Sequence, residues 1–250
     1  MGAIIAMAGK GGTGKTTIAS LIIRGIKEAK AGSVLAIDAD PNSNLGELLG
    51  VKPGTDIGSI LDEISLNPGI VPSGMTKERF IEYQVQSAIQ EEKGFDILSM
   101  GCSGGPGCYC YVNNVLRSVM AKLINDYDYI IIDNEAGLEH LSRRTSRYAD
   151  MLIVVSDASC VGLRSAQRIN QLATQLKFEV KKRFILINRF KGCIKGEALK
   201  ETGLEYLGCL PPDPLIEKLS LSGDSIFNLK DKAEILTALN SLGDKIWKHR

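Results

Sequence analysis

Residues 9–16 read Gly9-Lys10-Gly11-Gly12-Thr13-Gly14-Lys15-Thr16. The stretch matches G-x-x-x-x-G-K-[ST], a loop whose backbone N–H groups cradle phosphate oxygens. Its surroundings suit that role: the apolar run Ala3–Ala8 precedes it, and helical periodicity at Ile18, Leu21, Ile22 and Gly25 follows it. Glycines let the loop curl so that its amides converge, and the helix N-terminus adds its dipole. The Lys15 ammonium is predicted to reach the β- and γ-phosphates and the Thr16 hydroxyl to ligate Mg2+. The candidate nucleotide-binding residues are thus Gly9, Lys10, Gly11, Gly12, Thr13, Gly14, Lys15, Thr16 and Thr17.

Outward from the loop, short apolar runs recur at Val34–Ile37, Phe95–Met100, Tyr129–Ile132, Met151–Val155, Arg183–Ile187 and Tyr206–Leu210. Most are continuous rather than alternating, as strands buried on both faces require. Helical patterns lie between them, for example at Ile169, Leu172 and Leu176. Strand–helix alternation predicts an α/β fold: a single doubly wound, mostly parallel sheet with helices on both faces. One domain over residues 1–250 accommodates it. Lys52–Gly74 is rich in Gly, Pro and Ser and reads as an irregular excursion, and a helix is expected over Lys77–Glu91.

Two of the strand ends are acidic. Asp38-Ala39-Asp40-Pro41 follows the second run, and Asp133 follows Tyr129–Ile132. Carboxylates at the C-terminal ends of parallel strands converge on the ligand crevice. Asp133 is expected to hold Mg2+ through water, Asp38 to lie near the metal, and Asp40 to orient the attacking water. Lys10, Lys15 and Asp40 are then the candidate catalytic groups. Asn188 ends the run Arg183–Ile187. Its amide suits the adenine edge, being donor and acceptor at once; a turn-forming Asn without a ligand is the alternative reading of the residue alone.

The formal net charge is +1, which gives no reason to expect nucleic acid or an anionic membrane as partner. No apolar run approaches the ~20 residues needed to span a bilayer. The start MGAIIAMAGK lacks a basic n-region, and Ala6 occupies the position where a myristoylation signal prefers Ser or Thr. A cytoplasmic protein without stable membrane association is expected. Ile235, Leu236, Leu239, Leu242, Ile246 and Trp247 form an amphipathic stretch that either packs on the sheet or lies on a membrane.

Lys10-Gly11-Gly12-Thr13-Gly14-Lys15-Thr16-Thr17 resembles the deviant Walker A loop of the MinD/ParA/NifH ATPases. Asp38-Ala39-Asp40-Pro41 is similar to their switch I, and Asp133-Asn134-Glu135-Ala136-Gly137 to their switch II. The resemblance covers nearly the whole chain. It implies ATP/ADP and Mg2+ as ligands and a face-to-face homodimer stabilised by ATP. It further implies that Lys10 crosses the two-fold interface to the partner's phosphates, like an arginine finger supplied in trans.

Six cysteines stand at 102, 108, 110, 160, 193 and 209. Cys108 and Cys110, two apart, put both sulfurs on one side of an extended backbone. Two thiolates grip a soft or borderline metal but do not fill the four positions that Ni2+ or Zn2+ commonly takes; a two-fold dimer would supply the other pair. Cys108-Tyr109-Cys110 before Asn113–Val119, with Ala136-Gly137-Leu138-Glu139-His140-Leu141 after switch II, resembles the CooC-type branch of the family. Those are nickel-insertion ATPases of carbon monoxide dehydrogenase, and related factors serve acetyl-CoA synthase. The implied role is a metallochaperone, with Ni2+ or Zn2+ between the chains and a nickel enzyme as client. A second reading is a MinD/ParA-type positioning ATPase without metal. A NifH-like iron–sulfur electron donor is a third reading, although Asp133–Gly137 holds no cysteine. The residues fix no role for Cys102, Glu135 or His140.

Overall fold

Alternation within each strand explains the continuous apolar runs. In a computed structural model of the chain, Ile4, Ala6 and Ala8 of the first strand enter one core while Ile5 and Met7 enter the other. The structure describes residues 2–40, 42–101, 110–135, 148–192, 194 and 196–247.

In chain order the described elements begin with β1 (Ala3–Gly9), α1 (Lys15–Ala29), β2 (Val34–Ala39), α2 (Asn44–Leu49), α3 (Ile57–Leu66) and α4 (Lys77–Ala88). They continue with β3 (Gln90–Glu92), β4 (Phe95–Ser99), α5 (Cys110–Leu123), β5 (Tyr129–Asn134), β6 (Tyr148–Ser156) and α6 (Cys160–Gln175). The last are β7 (Glu179–Ile187), α7 (Gly196–Lys200), β8 (Glu205–Cys209), α8 (Pro214–Ser222) and α9 (Glu234–Ile246). The sheet order is β3-β4-β2-β5-β1-β6-β7-β8. Every pairing is parallel except β3 against β4. This is the expected α/β class. One face is covered by residues of α3, α4, α5 and α6, the other by residues of α1, α2, α8 and α9.

Two local expectations are corrected. Within 52–74, which composition marked as irregular, Asp56 caps α3 by accepting from the Ser59 amide, and Ile57, Ile60, Leu61 and Ile64 bury a helical stripe. The helix expected to reach Glu91 stops at Ala88, because Gln90–Glu92 turns back as an antiparallel edge strand on β4. A strand of Gln-Glu-Glu carries no apolar signal, and its charges suit an unprotected sheet edge.

The amphipathic C-terminal stretch forms α9 and packs inward. Ile235, Leu236, Leu239, Ile246 and Trp247 are buried. The Trp247 ring lies where a side chain on Gly25 of α1 would stand, and the Tyr129 hydroxyl donates to the Trp247 carbonyl at 2.7 Å. Among the described residues no helix is long and apolar enough to cross a membrane.

Candidate functional site

Parallel register brings the acidic strand ends together. β2 and β5 pair with Asp38 opposite Asp133, and β1 flanks β5 with Met7 opposite Asp133, two residues before the loop begins. The sequence-predicted carboxylates and the phosphate loop therefore meet at one end of the three central strands.

The loop is built from its own carbonyl at Lys10. That oxygen accepts from the Thr13 amide (3.3 Å), the Thr13 hydroxyl (2.8 Å) and the Lys15 ammonium (3.4 Å). The Lys10 side chain is exposed, whereas Lys15 and Thr13 are buried. Gly14 precedes α1 in the left-handed region at φ 90°, and a Cβ there would stand 2.5 Å from Asn188 Nδ2. Glycine is the residue that both constraints allow.

Helix α1 differs at its N-terminus from four other helices of the chain. Side chains of Asp56, Thr76, Ser159 and Asp213 cap α3, α4, α6 and α8. At α1 no side chain caps and no acid sits in the first turn. Its first amides, with Lys15 on the same turn, form a site for an anion.

The two buried carboxylates are unlike each other. Asp38 Oδ1 accepts from the Asp40 amide (3.2 Å) and Oδ2 from the Leu45 amide (2.8 Å). Burial still raises its pKa to about 6, those amides pulling the other way. Asp133 is 1% exposed, and among the described residues neither of its oxygens has a hydrogen-bond partner. Burial raises its pKa to about 7; the Asp38 charge adds to the rise, while Thr16 and Lys15 nearby lower it without completing a hydrogen bond. An orphaned buried carboxylate beside a hydroxyl and a phosphate loop is the chemistry of a hard-cation site. Thr16, Asp38 and Asp133 thus fit Mg2+. Among the described residues no three His, Cys, Asp or Glu side chains cluster as a metal cage, and Mg2+ beside phosphates needs none, since it takes phosphate oxygens and water. Asp40 is half-buried, and its Oδ1 accepts from the backbone and side-chain nitrogens of Asn42 at 2.9 and 3.0 Å.

The end of β7 grips the loop from the other side. Asn188 Nδ2 donates to the Thr13 carbonyl at 2.8 Å, and Asn188 Oδ1 accepts from the Arg189 amide at 2.9 Å. Arg189 donates from Nη1 to the Gly12 carbonyl at 3.3 Å. Consecutive residues thereby hold consecutive loop carbonyls. One hydrogen and one lone pair of the Asn188 amide are left over for a ligand. Beside them lies a cavity of about 320 Å³ lined by Thr17, Asn188, Arg189, Pro211, Pro212 and Asp213, with residues of α8 at its rim. Arg189 and Pro211–Asp213 were not singled out in the sequence, where no motif marks them.

Cys102, Cys108 and His140 lie outside the described residues, and Cys110 opens α5 without a described side chain. The root of the cysteine segment is described. The Met100 amide donates to the Asp38 carbonyl (2.8 Å), and the Met100 carbonyl accepts from the Gly58 amide (3.0 Å). Gly101 follows at φ 56°, where a Cβ would overlap the Asp56 carboxylate. The segment thus leaves the sheet beside the strand that carries Asp38.

Comparison with known proteins agrees with this geometry. Residues 4–226 match the family described as the CobQ/CobB/MinD/ParA nucleotide binding domain. The chain is 40% identical to an uncharacterized ATP-binding protein of Methanocaldococcus jannaschii, over 97% of this chain and 98% of that one. It is 30% identical to the carbon monoxide dehydrogenase accessory protein CooC of Rhodospirillum rubrum, over 94% of each. Among solved structures, the cell division ATPase MinD of Pyrococcus furiosus superposes with a TM-score of 0.73 at 21% identity, each chain covered in full (100%).

Proposed function

Since the chain belongs to the CobQ/CobB/MinD/ParA family of nucleotide-binding ATPases, we propose that its ATP hydrolysis serves delivery of a metal ion, Ni2+ or Zn2+, to a nickel enzyme. The client would be of the carbon monoxide dehydrogenase or acetyl-CoA synthase kind. The observation that carries this reading is the cysteine segment rooted at Met100, which is hydrogen-bonded to the Asp38 carbonyl at the nucleotide site. Identity of 30% along 94% of the chain to an accessory protein of carbon monoxide dehydrogenase supports it.

In this mechanism the loop amides and the first turn of α1 bind the triphosphate, and Lys15 neutralises charge on its β- and γ-oxygens. Thr16, Asp38 and Asp133 would hold Mg2+, which supplies Lewis acidity toward those oxygens. Asp40 orients water for attack. The exposed Lys10 reaches a second copy's phosphates across a two-fold axis, so hydrolysis awaits the dimer. Cys108 and Cys110 of both copies then share the cargo metal.

Metal titration followed by native mass and absorption spectroscopy, with and without ATP, tests this. The wild type is expected to take one ion per dimer, and Cys108→Ala to lose it. Equal stoichiometry in the variant overturns the thiolate site. The fold likeness to MinD favours a second reading, an ATPase that organises other molecules in space. ATP-dependent co-sedimentation with vesicles or DNA would establish that reading instead.

A further inference from the structure

The chain after β2 repeats one bond twice. Asp38 Oδ1 accepts from the Asp40 amide at 3.2 Å, and Asp40 Oδ1 accepts from the Asn42 amide at 2.9 Å. Each time a carboxylate takes the amide two residues on, the geometry of an Asx turn. The second turn carries a bond that the first lacks: Asn42 Nδ2 also donates to Asp40 Oδ1, at 3.0 Å. Both lone-pair directions of that oxygen are then filled. Among the described residues no donor reaches Asp40 Oδ2. The backbone that follows is costly. Ser43 sits at φ 51°, in the left-handed region, with its amide on the Asp40 carbonyl at 3.0 Å. Helix α2 starts from Ser43 without a side-chain cap and is tied to Asp38 Oδ2 through the Leu45 amide at 2.8 Å. Asn42, although exposed, is thereby fixed between Asp40 and an anchored helix.

We propose that Asn42 is a positioning residue for hydrolysis: by filling Oδ1 it fixes the plane of the Asp40 carboxylate and leaves Oδ2 alone to accept from the attacking water. A free carboxylate turns about its Cβ–Cγ bond and offers two oxygens in many directions. Each unproductive direction lowers the share of molecules poised to react. In the step itself the water oxygen bonds the γ-phosphorus and the bond to the bridging oxygen breaks. ADP leaves, and both water hydrogens end on inorganic phosphate. A neutral amide suits the supporting task. It holds one oxygen without cancelling the charge that attracts a water hydrogen, as a lysine or arginine would by forming an ion pair. The inference rests on the reading of Asp40 as the group that orients water and is independent of the cargo metal.

Phosphate release from the full chain at saturating Mg2+ and ATP, beside ATP affinity from calorimetry, tests it. Asn42→Ala is expected to lower kcat about tenfold, with ATP affinity within about twofold of wild type and an unchanged thermal melt. Asn42→Asp keeps the shape but loses the donor, and is expected to lose at least as much. In an Asp40→Ala background, Asn42→Ala is expected to cost nothing more, since its one route to the reaction is gone. An equal further loss in that background overturns the proposal and leaves Asn42 a brace of the turn. An ATP affinity that falls as far as kcat overturns it too, as does a wild-type rate for Asn42→Ala while Asp40→Ala is slow. Asp40→Ala hydrolysing at the wild-type rate would instead overturn the reading of Asp40 on which the proposal stands.

Discussion

At the scale of single residues, Asp133 is the most consequential group. Its buried carboxylate holds its proton more tightly folded than unfolded, with a pKa of about 7 against the ordinary 3.8. In the nucleotide-free protein this contribution to stability is full below pH ~4 and is lost as pH rises toward 7. Mg2+ reverses the preference, since it needs the ionised form. Mg2+ affinity, read from magnesium-dependent ATP binding, is therefore expected to fall several-fold between pH 8 and pH 6. Asp133→Asn is expected to raise the melting temperature of the nucleotide-free protein at pH 8 by a few degrees, because a buried amide costs less than a buried unpaired charge. The same change is expected to abolish magnesium-dependent hydrolysis in a phosphate-release assay. Lys15, Thr16, Asp38 and Asp133 were legible in the sequence because one local pattern and two strand ends bear them. The bonds from Asn188 and Arg189 to the loop were not. They join residues 175 and 177 positions apart, and only the sheet order brings them together.

Among the elements, those with strong periodicity read clearly and those without did not. The seven apolar runs are all strands. Helix α3 escaped because Pro53, Gly54 and Pro68 flank it and outweigh the stripe of four isoleucine and leucine residues between them. The edge strand β3 escaped because pairing, not composition, makes it a strand. Helix α9 left two readings open in the sequence, and its apolar face turns out to belong to the core. Its anchor is Trp247, packed where Gly25 and Gly243 leave room. Trp247→Ala is expected to cost about 3–5 kcal/mol, which denaturant unfolding monitored by circular dichroism would measure. A loss under 1 kcal/mol (roughly the surface-substitution range) would contradict the packing described.

For the whole molecule, the ladder β3-β4-β2-β5-β1-β6-β7-β8 puts β1 between two halves whose connections diverge, and the nucleotide site opens at that divide. The class of fold was readable from strand–helix alternation; the strand order was not, since no local signal encodes which parallel neighbours meet. The exposed Lys10 links this scale to chemistry. Lys10→Ala is expected to bind ATP with nearly wild-type affinity, yet to remain monomeric in analytical ultracentrifugation and to lose hydrolysis by about a thousandfold. ATP-driven dimerisation of that variant equal to wild type would remove the trans role. One further consequence follows from the tail. Helix α1 leaves the ribosome well before the indole that seals it against water, which belongs to residue 247. During synthesis its apolar flank must wait uncovered until residue 247 has emerged, so the nascent chain is the form in which chaperones would find this flank most exposed.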